Sequence, residues 1–229
     1  MRVITTTTLL LFALQATAQA GYVSEYTDAA GDIPVENANL DIVSAMVSHT
    51  DSSLTISMTV ADLNADWGKY MVLIDTGILG GDHSNPWGRD ITYGDGINVD
   101  FALGSWLDNG GGTTGLMSWD SMGGWGYFYD VEQSIDWDND TVSWTIDAGG
   151  FFEFYVNSSE GYGGFEFDIV STGGGDNDPA IDFMGGEGIQ GGWGNGSTMT
   201  DMFTYTLPAP GALALLGLAG LAGRSRRRH

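Results

Sequence analysis

The 229-residue chain contains no cysteine, so no disulfide framework holds it together and its stability rests on a packed core or on bound ions. Basic residues are nearly as scarce. The seven are Arg2, Lys69, Arg89, Arg224, Arg226, Arg227 and Arg228, and five of them lie at the extreme ends. All 30 acidic residues fall between residues 21 and 207, where only Lys69 and Arg89 oppose them, so that stretch carries a net charge of −28. A field of that sign repels phosphate backbones and anionic lipid, which argues against nucleic acid as a partner and for cations. Apolar runs long enough for an ordinary membrane span are missing, because a helix needs about 20 apolar residues to cross the bilayer core. Gly-x-Ser-x-Gly, His-Glu-x-x-His and the Walker loop are absent too, which removes the motifs of the commonest hydrolases and nucleotide binders.

Both termini carry features of export. Met1-Arg2, the apolar run at residues 9–14 (LLLFAL) and the small-x-small triplet Ala18-Gln19-Ala20 read as a secretory signal peptide over residues 1–20, with the mature chain beginning at Gly21. At the other end, Pro208-Ala209-Pro210 precedes a Gly/Ala/Leu stretch at residues 211–223 and the cluster Arg224, Arg226, Arg227 and Arg228. This apolar stretch spans a bilayer only with local thinning and help from its flanks, and the arginines hold its far end in the cytoplasm. The tail over residues 208–229 resembles the PEP-CTERM sorting signal, with Ala209 standing in place of the motif's Glu. The resemblance implies a short C-terminal transmembrane helix read by an exosortase-type membrane protease, and delivery to the cell surface or the extracellular polysaccharide matrix. Pro208, Pro210 and the four arginines are the residues of that signal.

Between the two ends the pattern is that of strands. Leu54, Ile56, Met58 and Val60 alternate with Thr55, Ser57 and Thr59, the period of two that a half-buried strand requires. Similar alternation runs through Ile97-Val99-Phe101-Leu103, Val142-Trp144-Ile146 and Phe203-Tyr205-Leu207. Residues 70–74 (YMVLI) are apolar without alternation, which predicts a strand buried on both faces. No segment keeps a helical period, and glycine-rich stretches such as Gly173-Gly174-Gly175 punctuate the chain. These features predict one all-β domain over residues 21–207, an antiparallel β-sandwich of jelly-roll or immunoglobulin-like topology.

Three acidic clusters are candidates for metal binding. Asp28 and Asp32 bracket a glycine turn in Asp28-Ala29-Ala30-Gly31-Asp32, an arrangement that can offer calcium the several oxygens it takes. Asp136, Asp138, Asp140 and Asp147 fall at positions 1, 3, 5 and 12 of an EF-hand-like loop, but Thr141 occupies the position that needs glycine, so a hairpin turn at residues 138–140 is expected instead. Asp176, Asp178 and Asp182 follow a glycine run and read as a solvated loop. Of the tryptophans, Trp144 reads as core. Trp87, Trp106, Trp119, Trp125 and Trp193 sit in or beside Gly/Asn/Asp-rich segments, where an indole face suits stacking on a sugar ring; Trp87 and Trp125 are the first candidates for ligand binding. Glu166 and Asp168, two apart on an expected strand, place both carboxylates on one face about 6.6 Å apart. That pair is similar to the Glu-x-Asp-x-x-Glu signature of jelly-roll glucan hydrolases, but Ser171 stands where the third acid belongs, so no catalytic residue is assigned.

The Asp28-Ala29-Ala30-Gly31-Asp32 opening, with Leu40-Asp41-Ile42, the strand from Leu54 and the run from Tyr70 to Asp75, is similar to the start of family 9 carbohydrate-binding modules and DOMON-like domains. That resemblance implies a sandwich that binds a sugar or small ligand, in some members with structural calcium. Together the two resemblances imply an exported, surface-sorted, non-catalytic protein associated with exopolysaccharide. The alternatives are a calcium-stabilised structural protein without a ligand and a degenerate glycoside hydrolase.

Overall fold

A computed structural model describes residues 22–50, 52–77, 79–107, 111–147, 163–175, 177–185 and 192–206. The expected signal peptide and sorting tail lie outside these residues, as does Asp176. Among the described residues there are fourteen strands and no α-helix, and no helix is long and apolar enough to cross a membrane.

The first sheet is antiparallel, with strands β1 (Tyr22–Thr27), β2 (Ile42–His49), β3 (Ser53–Val60), β10 (Thr141–Asp147) and β9 (Val131–Asp136) in that order. The second runs β12 (Ala180–Phe183), β11 (Gly164–Thr172), β4 (Lys69–Asp75), β6 (Phe101–Trp106), β7 (Gly112–Asp120) and β8 (Gly124–Tyr129), and β14 (Phe203–Thr206) also pairs with β11. A short parallel pair joins β5 (Ile91–Tyr93) to β13 (Ser197–Met199). Val47, Ile56, Met58, Val142 and Trp144 of the first sheet share one apolar cluster with Tyr70, Val72, Ile74, Phe101, Phe167 and Ile169 of the second. A cluster drawn from one face of each sheet is what packs two layers together, and the arrangement is sandwich-like.

Alternation accounts for the first sheet. On β3 and β10 the apolar residues turn inward, while the residues between them meet as hydroxyl pairs on the outer face: Thr55 with Thr145 at 3.0 Å, Ser57 with Ser143 at 2.8 Å and Thr59 with Thr141 at 3.1 Å. Each such cross-strand pair contributes roughly 0.2–1 kcal/mol. The expected hairpin between β9 and β10 is present, with Asp140 at φ 54° and Asp136 accepting hydrogen bonds from the Asn139 side chain and backbone.

All seven residues of β4 are buried: Tyr70 to Ile74 as their unbroken apolar run predicts, and Lys69 and Asp75 at the strand's two ends as well. Its inner face feeds the shared core, while Met71 and Leu73 on the other face join a second cluster with Tyr93, Val99, Val170 and Phe183. The segment between β4 and β6 therefore covers the outside of the larger sheet. This corrects the expectation that Ile97, Val99, Phe101 and Leu103 form one alternating strand. Ile97 and Val99 pack in the outer cluster, Phe101 and Leu103 in the inner one. The switch falls at fully buried Asp100, whose carboxylate accepts from the Thr76 amide at 2.8 Å, the Thr76 hydroxyl and the Gly81 amide at 2.9 Å. With its acceptors tied to that loop, Asp100 turns the chain from covering segment to strand.

Candidate metal centre

β1 ends at Thr27, and the amide of Asp28 still bonds the carbonyl of Val43 at 3.0 Å, so the first residue of the turn is held by the β1–β2 ladder. Gly31 then adopts φ +79°, a conformation that side chains rarely tolerate, and this bend returns Asp32 toward Asp28. The Gly31 amide donates to Asp41 Oδ2 at 2.8 Å, which fixes the turn against the residue just before β2. Asp41 is positioned in turn by a 3-10 turn (Ala38–Leu40). There the carbonyl of Leu40 accepts from the Ser171 hydroxyl at 2.6 Å, and that of Asn39 from Tyr70.

Asp182 approaches from the second sheet. Expected in a solvated loop, it instead lies on β12 with no exposure to solvent, and its Oδ2 accepts from the amide of Ile42 at 2.6 Å. β12 pairs with β11 so that Asp182 stands opposite Ser171, on the side facing the 3-10 turn. This register carries Asp182 to the Asp28–Asp32 turn. Oxygens of Asp28, Asp32 and Asp182 all lie within 4.8 Å of one another, and among the described residues this is the one such group of three.

The group is short of partners. Asp28 Oδ2, Asp41 Oδ1 and Asp182 Oδ1 are buried and accept no hydrogen bond. Buried carboxylate oxygens are costly to leave this way, since desolvation of an ion is repaid only by pairing or by coordination to a metal. Burial pushes the Asp182 carboxyl up to about 7; the Ile42 amide opposes this, and Asp28, Asp32 and Asp41, all of like charge, reinforce it. Burial likewise raises Asp28 and Asp41 above the usual carboxylate range, against the hydrogen bonds from the Ala29 and Gly31 amides respectively.

A calcium ion fits these constraints. Ligands at 2.3–2.6 Å from a common centre are separated by at most about 5 Å, a limit the oxygens here satisfy, and hard oxygens alone are what calcium takes. Protein zinc and copper sites ordinarily include imidazole or thiolate ligands, and this group is carboxylates alone. Asp28, Asp32 and Asp182 are the residues that would hold the ion, with Asp41 adjacent. Asp28 and Asp32 were legible in the sequence from their glycine turn; Asp182 was not, because only strand pairing brings it there.

The other candidates are dispersed. Asp178 accepts from the Gly175 amide at 2.7 Å, within its own loop. Glu166 is exposed, but Asp168 is fully buried, with Oδ1 accepting from the amides of Ile169 and Gly185 at 2.7 Å each. Glu166 faces Asp75 across the β11–β4 ladder, beside a cleft of about 410 Å³ whose lining includes Phe165 and Tyr205. Trp87 and Trp125 are half-buried against the outer cluster. Trp87 meets Trp106 edge-on at 5.4 Å, and Trp125 lies on edge strand β8 with its Nε1 donating to the Ser84 hydroxyl at 3.0 Å. Trp193 is more open, 47% exposed and tilted against Trp67 at 6.2 Å. Comparison with protein-family models, with curated proteins and with solved structures finds no match.

Proposed function

We propose that this protein is a non-catalytic, calcium-stabilised β-sandwich, exported by the signal peptide at residues 1–20 and sorted through the tail at residues 208–229 to the cell surface, where it associates with extracellular polysaccharide. The metal part of this reading is carried by one observation: fully buried Asp182 has an unpartnered oxygen and lies within reach of Asp28 and Asp32. An ion there satisfies three carboxylates at once and joins the two sheets, a role disulfides fill in other exported proteins and cannot fill here. The address is supported by the sequence of the tail, and the polysaccharide association by that address and by open indoles such as Trp193. The sorting step implies an exosortase-type protease as the processing partner and membrane contact through the C-terminal helix before cleavage.

Melting curves test the ion. An ion that binds only the folded state at a hundred times its dissociation constant adds about 2.7 kcal/mol, or about 5–10 °C for a domain of this size. Raising calcium from about its dissociation constant to about a hundred times that value is expected to raise the melting temperature by that order, sodium at matched ionic strength by less, and Asp32→Ala to remove the calcium-specific gain. Equal stabilisation by the two salts would reduce the effect to screening of a very acidic body and overturn the reading.

A further inference from the structure

We infer that the carboxylate centre makes folding conditional on calcium, so that the chain stays unfolded where the ion is scarce and closes into its two-sheet form where it is plentiful. This rests on the metal reading above. The centre is not a surface ornament on one layer: Asp28 and Asp32 follow β1 of the first sheet, and Asp182 belongs to β12 of the second. To dock the sheets without an ion, the chain has to withdraw Asp182 completely from water and hold three carboxylates within 4.8 Å of one another. In the unfolded chain the same groups are separated and hydrated. The penalty falls on the folded state alone and is set against a net stability that is small for any domain.

Nothing covalent offsets it, since the chain has no cysteine, and the surplus of acidic residues between residues 21 and 207 adds repulsion to the compact form. An ion that binds only the folded state reverses the balance by mass action. Calcium is kept low in cytoplasm and is abundant outside cells. A chain built this way remains unfolded for passage through a membrane and folds after it, with the ion as the signal that passage is complete.

The test uses the full chain, unfolded in urea and diluted into buffer containing calcium, magnesium or EDTA. Tryptophan emission, to which buried Trp144 contributes, and far-UV circular dichroism report folding, and equilibrium dialysis with radiolabelled calcium reports binding. Native signals are expected in calcium and absent in EDTA. Asp182→Asn, which removes the buried charge and keeps an acceptor for the Ile42 amide, is expected to fold in EDTA; Asp32→Asn, at the exposed side of the centre, is expected to raise the calcium concentration for half-folding at least tenfold. Wild-type chain that folds equally well in EDTA and still takes up calcium overturns conditional folding and leaves the metal site standing. Folded chain that takes up no calcium overturns both. If Asp182→Asn folds in neither buffer, Asp32→Asn decides, and a half-folding concentration equal to that of wild type overturns the inference.

Discussion

Asp182 Oδ2 accepts a hydrogen bond from the amide of Ile42 at 2.6 Å, joining β12 of one sheet to the first residue of β2 in the other. The other oxygen of the same carboxylate has no protein partner. One side chain therefore both seams the two sheets and faces the acidic turn at Asp28 and Asp32.

This arrangement sets an unusual dependence on pH for the metal-free protein. Asp182 is raised to about 7 in the folded state, chiefly by burial, and titrates near 4 when unfolded. Between those values the folded chain binds more protons than the unfolded chain, so stability is greatest at the acid end of the window and falls as pH rises toward 7. Asp182 alone accounts for a loss of about 4 kcal/mol. In EDTA the folded fraction is expected to fall between about pH 4.5 and pH 7.5, whereas with calcium, which needs the deprotonated ligand, the stabilising gain grows over the same range. A metal-free protein more stable at the upper pH would contradict the burial of this charge.

Asp100 anchors the change from covering segment to strand. Replacing it with Ala leaves the buried amide of Thr76 and the half-buried amide of Gly81 without their acceptor and is expected to cost about 2–3 kcal/mol, measured by urea denaturation. Asp100→Asn, which keeps one acceptor oxygen, is expected to fall between that variant and wild type.

The tryptophans divide by burial. Trp87→Ala and Trp125→Ala each remove a half-buried ring from the outer cluster and are expected to destabilise by about 2–3 kcal/mol, so weaker retention on exopolysaccharide by either variant follows from unfolding as well as from lost stacking. Trp193→Ala, at a ring 47% exposed, is expected to shift stability by about 1 kcal/mol or less while lowering retention on the producer's own polymer. Unchanged retention by stable Trp193→Ala would remove this ring from the proposed glycan-binding surface.

Sorting is tested at the tail. Replacing Arg224, Arg226, Arg227 and Arg228 with Ala removes the positive charge by which the proposed sorting signal would keep the C-terminus cytoplasmic, and is expected to block processing or alter orientation in the membrane. The mass and location of the mature protein measure this. Wild-type processing of the variant would count against the sorting-signal reading.

By itself the sequence determined the local features of the fold. Alternation of Leu54, Ile56, Met58 and Val60 marked β3, the unbroken apolar run marked β4 as buried on both faces, and the Asp138-Asn139-Asp140 turn marked the hairpin between β9 and β10. These are readable because burial of neighbouring residues on a strand follows its pleat, and because turn chemistry acts within a few residues. The tertiary structure alone decided which strand faces which. Asp182 reaches Asp28 and Asp32 only because β12 pairs with β11 and the 3-10 turn packs across that edge. The same holds for Val99 and Phe101, two residues apart with the spacing of a single strand, yet committed to opposite faces of the larger sheet by the hydrogen bonds of the buried carboxylate between them. Period records how a strand is wetted; sheet order, set by the packing of distant segments, decides which charges are brought together.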